Sequence, residues 1–161
     1  MACLAMLHCG LRGGLNLAAS GTYESDFYAW TQEQAALLRA GRFAELDVEH
    51  IIEEIEDMGK SERRELASRL EVLLVHLLRW QYQKGLRSTS WLATIKEQRR
   101  RIARHLGKNA SLKAGLEDLL VQAYEDARYT AGIETGYSEI AFPPACPWTL
   151  EQVLDPDFLP E

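Results

Sequence analysis

Hydrophobic residues recur every three or four positions through most of the chain, with polar residues between them. That spacing is the period of an amphipathic α-helix, whereas a half-buried β-strand would alternate residue by residue. From Thr22 onward a capping residue precedes each periodic segment, and a glycine follows most of them. The pattern predicts an all-α, single-domain bundle of about five helices with a proline-rich C-terminal arm that ends in a short helix.

The caps and glycines also predict where each helix begins and ends. The first helix should span residues 23–40, the fourth should follow the caps at 88–90 and end at Gly107, and the fifth should begin at Ser111. Gly59 should end the second helix, which Asp47 caps, and Ser61 should cap the third at once. The second helix is expected to bury one apolar face, formed by Val48, Ile51, Ile52, Ile55 and Met58.

The third predicted helix contains the most apolar stretch of the chain. Residues 72–80 are apolar at seven of nine positions. A helix that is hydrophobic on all sides is usually the central one of a bundle. We therefore predict that this segment forms the middle of the core.

The C-terminal segment has a different composition, because all five prolines lie between residues 142 and 160. Proline cannot continue a helix, so this part should leave the bundle as an extended arm. Thr149 and Gln152 have the spacing of a capping box. They predict a short helix from Leu150 to Leu154 that docks on the bundle.

Length, charge and cysteine content narrow the class of protein. The 161 residues suit one domain at 22–161, and residues 1–21 are interpreted as a non-domain N-terminal extension, since they lack the charged start of a signal peptide. The net charge of −6 argues against non-specific nucleic-acid binding, and no apolar run is long enough to cross a membrane. Three scattered cysteines favour a reducing, cytoplasmic setting.

Several segments in order resemble the domain-of-unknown-function family 29. They are FYAW, LDVEHIIEEIEDMGKSERREL, LLVHLLRWQYQ, SWLATIKEQRRRI, YEDAR and CPWTLEQVLD, and they cover roughly residues 22–159. The resemblance implies a small, all-helical bacterial domain of unassigned biochemistry. It names a fold and not a reaction.

His76 is the polar residue that stands out, because it interrupts the most apolar helix. A buried imidazole requires a hydrogen-bond partner, and we expect an acidic or hydroxyl group from the second or fifth helix. One interpretation is a satisfied core histidine. The other is a pocket formed by a candidate polar cluster, which comprises Glu54, His76, Trp80, Tyr124, Asp126 and Arg128.

Two helices carry opposite charge, which suggests an interaction face. The second helix is acidic and the fourth is basic, and the candidate residues are Glu53, Asp57, Arg99, Arg100 and Arg104. We expect Arg99 to pack toward the acidic helix of the same or a second chain, with Arg100 and Arg104 solvated. His50, Glu53 and Asp57 should point toward water on a helical wheel.

Metal and nucleophile signatures are weak. A di-metal bundle needs two Glu-x-x-His motifs, whereas the nearest approach here is Asp47-x-x-His50. A zinc site made by His50, His76 and His105 would need side chains that the helical wheel turns apart. We therefore predict no bound metal and no cofactor.

The best functional hypothesis is a non-enzymatic interaction or regulatory protein that binds a protein partner or a second copy. The alternative is a small-ligand binder or enzyme that uses a pocket around His76.

Overall fold

The computed structural model describes residues 22–161, and the predicted N-terminal extension lies outside them. Five helices are labelled in chain order: α1 (Phe27–Arg39), α2 (Val48–Tyr82), α3 (Thr89–Lys108), α4 (Leu116–Thr135) and α5 (Leu150–Leu154). Residues 22–25 are helical too, and short 3₁₀ turns occur at Phe43–Glu45, Lys84–Leu86, Ala110–Gly115 and Glu139–Ala141. Residues 22–161 contain no strand, so the all-α prediction is confirmed.

The chain divides into two compact units. The first extends to Asp57 and is described from residue 22, and the second is Met58–Glu161. The first unit contains α1 and the beginning of α2, whereas the second contains the rest of α2 and all later elements. In the described chain, no helix combines the length and the apolarity that crossing a bilayer requires.

The predicted break at Gly59 is wrong, because α2 is one helix of 35 residues that passes through Gly59 and Ser61. A glycine that ends a helix usually takes a left-handed conformation, and among the described residues only Gly41 and Gly136 have positive φ. Gly59 therefore remains helical. A single glycine costs a helix only about 1 kcal/mol relative to alanine, which tertiary packing elsewhere in a long helix readily offsets.

The apolar face predicted for the second helix is largely exposed. Val48 is 52% exposed, Ile52 53%, Ile55 63% and Met58 69%, and only Ile51 is half-buried. The period correctly indicated an amphipathic helix. Periodicity cannot show whether anything in the chain covers the apolar side, and the expectation of burial was wrong.

The core of the second unit is built around the later part of α2. This segment supplies the fully buried leucines Leu66, Leu70, Leu73, Leu74, Leu77 and Leu78. Isoleucines of α3, alanines and Tyr124 of α4, and Phe142, Trp148 and Val153 of the tail complete the same cluster. Within residues 72–80, the buried side chains are Leu73, Leu74, Val75, Leu77 and Leu78, so the predicted place of this segment in the core is confirmed. Burying one such aliphatic side chain contributes about 1.5–3 kcal/mol.

The C-terminal tail is ordered and ends in the predicted short helix. Thr149 and Gln152 form the capping box, with each side chain bonded to the other residue's backbone N–H, so that prediction is confirmed. Ser88 likewise caps α3. By contrast, α4 begins at Leu116 after a 3₁₀ turn and not at Ser111.

Besides its buried side chains, the tail is held through its backbone carbonyl oxygens. The Tyr124 hydroxyl donates to the Pro143 oxygen at 3.0 Å, Arg128 to Pro144 at 3.4 Å and Arg87 to Pro160 at 3.3 Å. Proline has no N–H but keeps a full acceptor, so a proline-rich segment can still be fixed by side-chain donors. These bonds lay the tail against the second unit.

Candidate functional site

The first unit contains a buried aspartate whose carboxylate has two partners and whose backbone N–H has a third. Asp47, which directly precedes α2, is 8% exposed. Its Oδ2 accepts a hydrogen bond from Trp30 Nε1 at 3.2 Å and lies 2.7 Å from His50 Nδ1. Its backbone N–H donates to Gln34 Oε1 at 2.9 Å. Residues of α1 therefore bind both the carboxylate and the backbone of Asp47. Burial without these partners would be costly for a carboxylate.

This arrangement assigns the tautomer of His50. A carboxylate can only accept, so the bond to Asp47 places a proton on Nδ1 and leaves Nε2 as the acceptor of the neutral ring. The wheel predicted that His50 points to water, whereas its side chain is only 21% exposed, and that prediction was wrong. The ring stacks on Tyr23 at 4.0 Å and meets Trp30 edge-on at 6.4 Å.

Tyr23 links this aromatic group to Glu54. Its hydroxyl donates to Glu54 Oε1 at 2.6 Å. That hydrogen bond, together with desolvation and the negative charge of Glu54, raises the pKa of Tyr23 to about 12. The first unit therefore joins residues of the FYAW region and of α2 into one cluster, which comprises Tyr23, Trp30, Asp47, His50 and Glu54.

The second unit contains a separate histidine–carboxylate cluster, formed by His105 of α3 with Glu62 and Glu65 of α2. One ligand atom from each of the three residues lies within 4.8 Å of the others. His105 is 8% exposed, and its Nε2 lies 2.9 Å from the Glu62 backbone oxygen and 3.4 Å from Glu62 Oε2. Its Nδ1 is 3.9 Å from Glu65 Oε1.

Each carboxylate of this cluster is oriented by a further side chain. Asn109 Nδ2 donates to Glu62 Oε2 at 2.7 Å, and Arg69 Nε donates to Glu65 Oε1 at 3.0 Å. The hydrogen bonds from Arg69 hold the pKa of Glu65 below its usual value, so this carboxylate is ionised at neutral pH. The three residues border an open cavity of about 360 Å³, which is also lined by Arg69, Arg101, Arg104, Lys108 and Asn109.

The candidate polar cluster predicted from the sequence has its hydrogen bonds in different places. His76 Nδ1 contacts the Val72 carbonyl oxygen of its own helix at 2.9 Å, which makes the predicted side-chain partner wrong. Tyr124 and Arg128 bind tail carbonyls, and Arg87 lies over the Trp80 ring at 5.0 Å. Asp126 is exposed, and Glu54 accepts from Tyr23 in the first unit.

The arginines of the candidate interaction face do not contact the acidic helix as predicted. Arg99 is 5% exposed and donates to the tail carbonyls of Val153 and Phe158, each at 2.8 Å, so its predicted packing toward an acidic helix is corrected. Arg100 pairs with Glu97 on its own helix. The hydrogen bonds from Arg100 and Arg101 lower the pKa of Glu97 to about 2. Glu53, Asp57 and Arg104 are exposed.

Sequence reasoning missed most of this geometry. The pair Asp47-x-x-His50 was a visible signal, because positions three apart on a helix face each other. The signal for His105 was fainter, since its carboxylate partners lie about forty residues earlier on another helix.

The helices and clusters define a small all-α domain whose C-terminal tail contains a short capped helix. The chain belongs to the family described as domain of unknown function DUF29, whose model matches residues 22–159. No biochemical function is established for that family by its description. No curated protein and no solved structure matches the chain.

Proposed function

We propose that this protein is a non-enzymatic interaction protein, whose first unit binds a basic amphipathic helix of a partner protein. The main support for this proposal is an apolar stripe, which consists of Val48, Ile52 and Ile55 at the start of α2. Each of these side chains is more than half exposed. Apolar residues at positions i, i+4 and i+7 are the anchor spacing with which one helix packs along another.

The charge around the apolar stripe favours a partner of opposite sign. Residues 48–57 include Glu49, Glu53, Glu54, Glu56 and Asp57 and contain no lysine or arginine. Two copies of this segment would bring like charges together, whereas a helix flanked by Lys and Arg would bring opposite charges together. The same acidic surface disfavours nucleic acid, since phosphate contacts require clustered cations.

The cysteine chemistry supports a cytoplasmic setting. Cys146 is a free thiol whose Sγ lies 3.3 Å from the Trp148 carbonyl oxygen. Burial raises the pKa of this thiol, which keeps it protonated and unreactive. A free structural thiol of this kind suits a reducing compartment.

A labelled peptide tests the proposal directly. The probe is a short helical peptide of leucine and lysine with the leucines on one face, and its binding to the full chain is measured by fluorescence anisotropy. The double variant Ile52→Ser/Ile55→Ser should raise the Kd at least about tenfold, because losing about 1.4 kcal/mol of apolar burial suffices for that change. Replacing the lysines of the peptide by glutamate should abolish binding.

The matched control is Val121→Ser/Ile140→Ser, which removes two exposed apolar side chains from the second unit. This control should bind the lysine peptide as tightly as the parent chain. Equal weakening by both double variants, or equal binding of the glutamate peptide, would contradict the proposal. A dimer in sedimentation equilibrium that is lost only in Ile52→Ser/Ile55→Ser would show that the stripe binds a second copy instead.

A further inference from the structure

Arg99 keeps one nitrogen of its guanidinium without an acceptor. The N–H groups on Nε and Nη1 donate to the tail carbonyls of Val153, Pro156 and Phe158. The remaining two N–H groups are both on Nη2, and that atom is buried with no hydrogen-bond partner in the described chain. The residue as a whole is 5% exposed. A buried polar group that lacks a partner is uncommon and indicates that something else supplies the acceptor.

The same arginine borders a cavity of about 430 Å³ between α3 and the tail. The α3 wall consists of four residues that share one face of the helix, at positions i, i+3, i+4 and i+7: Lys96, Arg99, Arg100 and Ala103. The tail wall consists of Leu154, Pro156 and Asp157. The volume lies within the range of about 300–1,000 Å³ that is usual for small-molecule pockets.

The lining of this cavity carries more positive than negative charge. Arg100 pairs with Glu97 of its own helix, whereas Lys96 makes no ion pair with any residue that the structure describes. Asp157 is the only carboxylate among the lining residues. Burial lowers the pKa of Arg99, although Asp157 and its neighbour Asp155 act in the opposite direction. The aspartates therefore do not fully compensate the buried charge of the guanidinium.

We propose that this cavity binds a small organic carboxylate with a short apolar chain. The carboxylate would accept from Arg99 Nη2 and pair with Lys96, because a guanidinium edge matches the geometry of carboxylate oxygens. Pro156 and Asp157 are exposed, and a shift of this short segment would open Nη2 to the ligand. The apolar chain would lie against Ala103 and Leu154.

Two features of the cavity define the ligand further. A single negative charge is favoured over the double charge of phosphate, because Asp157 repels a dianion more strongly. The apolar side chains on both walls favour an organic anion over an inorganic one. The cavity lies in the second unit, so the site does not depend on the proposed binding of a basic helix.

An NMR titration of the isotope-labelled full chain with hexanoate tests the site. Hexanoate should bind saturably and shift the amide signals of the lining residues, and the Nη2 protons of Arg99 should exchange more slowly with water. Hexanamide has the same chain and no charge, and it should bind at least about tenfold more weakly. Lys96→Gln should raise the Kd of hexanoate about three- to fivefold. Lys108→Gln is the matched control, since it removes a lysine of α3 outside this cavity, and it should bind hexanoate like the parent.

Ala103→Phe tests the cavity without changing a charge. The larger side chain at this exposed helical position should fill the space and abolish hexanoate binding, whereas Ala93→Phe, exposed on α3 outside the lining, should leave binding intact. Asp157→Asn should tighten binding, because it removes a like charge. The absence of saturable binding, equal Kd values for hexanoate and hexanamide, or binding unchanged in both Lys96→Gln and Ala103→Phe would overturn the proposal. Tighter binding of inorganic phosphate than of hexanoate at the same amides would also overturn it, since the lining would then favour a dianion.

Discussion

At the scale of single residues, Arg99 is the side chain that fixes the tail to α3. Its Nε and Nη1 donate to three carbonyl oxygens, those of Val153, Pro156 and Phe158. Burial lowers the pKa of this guanidinium, and the nearby Asp155 and Asp157 act in the opposite direction. The group remains charged, because arginine is effectively always protonated in proteins.

We predict that Arg99→Lys destabilises the protein by about 2–3 kcal/mol, although the charge is kept. A compact ammonium on a flexible stem cannot reproduce the planar fork that reaches three acceptors, so the buried carbonyl of Val153 or its part-buried neighbours would lose a partner. Urea unfolding measures the change. Arg100→Lys, one position on and exposed, is the control and should change stability by less than about 0.5 kcal/mol. Equal effects of the two substitutions would contradict the assigned role.

Tyr23 provides a prediction about pH. Its pKa is raised from 10.0 to about 12, chiefly by the hydrogen bond to Glu54. Because the folded state favours the protonated phenol, the stabilisation is fully present below pH 10 and is lost as pH rises through about 12. Site-resolved NMR of the Tyr23 ring should show it titrating near pH 12. Glu54→Gln should bring its pKa back toward 10, and an unchanged titration would rule out this hydrogen bond.

At the scale of helices, Gly59 is the position where local preference and the long helix disagree. A Cβ added at Gly59 meets no atom within 4 Å, and the residue lies inside α2. Gly59→Ala should therefore stabilise the protein by about 0.5–1 kcal/mol, since alanine loses less backbone entropy. Chemical denaturation measures the difference. Gly136→Ala is the contrasting variant, because φ there is +70°, and it should destabilise. A destabilising Gly59→Ala would mean that α2 bends at this position.

The sequence was sufficient to predict helix type and most of the ends that side chains define. Ser88 and Thr149 cap their helices through contacts three residues away, and such local contacts can be read directly from spacing. Gly59 was misread because its effect depends on how strongly the rest of a 35-residue helix is packed. Ser111 was misread because it lies inside the 3₁₀ turn Ala110–Gly115, and the helix that follows begins only at Leu116.

The candidate sites were less predictable because their contacts cross between helices. His76 looked informative for interrupting an apolar run, yet the carbonyl one turn earlier satisfies its Nδ1. The Glu62–His105 contact spans 43 residues, and no spacing rule within a helix can detect it. The sequence-based expectation of no metal rested on motif spacing alone and stays a prediction.

At the scale of the whole molecule, the two units have different interiors. The second unit has a continuous hydrophobic cluster drawn from α2, α3, α4 and the tail. In the described part of the first unit, the buried residues are Trp30, Leu37, Gln34 and Asp47, of which two are polar. An interior of that kind gains less from burial, so covering the apolar stripe with a partner helix would add stability where the chain itself supplies little.

The way the tail is bound has a consequence for how the family's sequences can vary. Every residue type offers a backbone oxygen, so the segment that is held can accept many substitutions without losing its acceptors. The donors are specific: Arg87, Arg99, Tyr124 and Arg128 lie on or between the helices that receive the tail. The carbonyl contacts therefore constrain the donors on the helices and leave the tail residues that supply only an oxygen free to vary, whereas the buried Phe142, Trp148 and Val153 and the capping pair Thr149 and Gln152 remain constrained by their side chains.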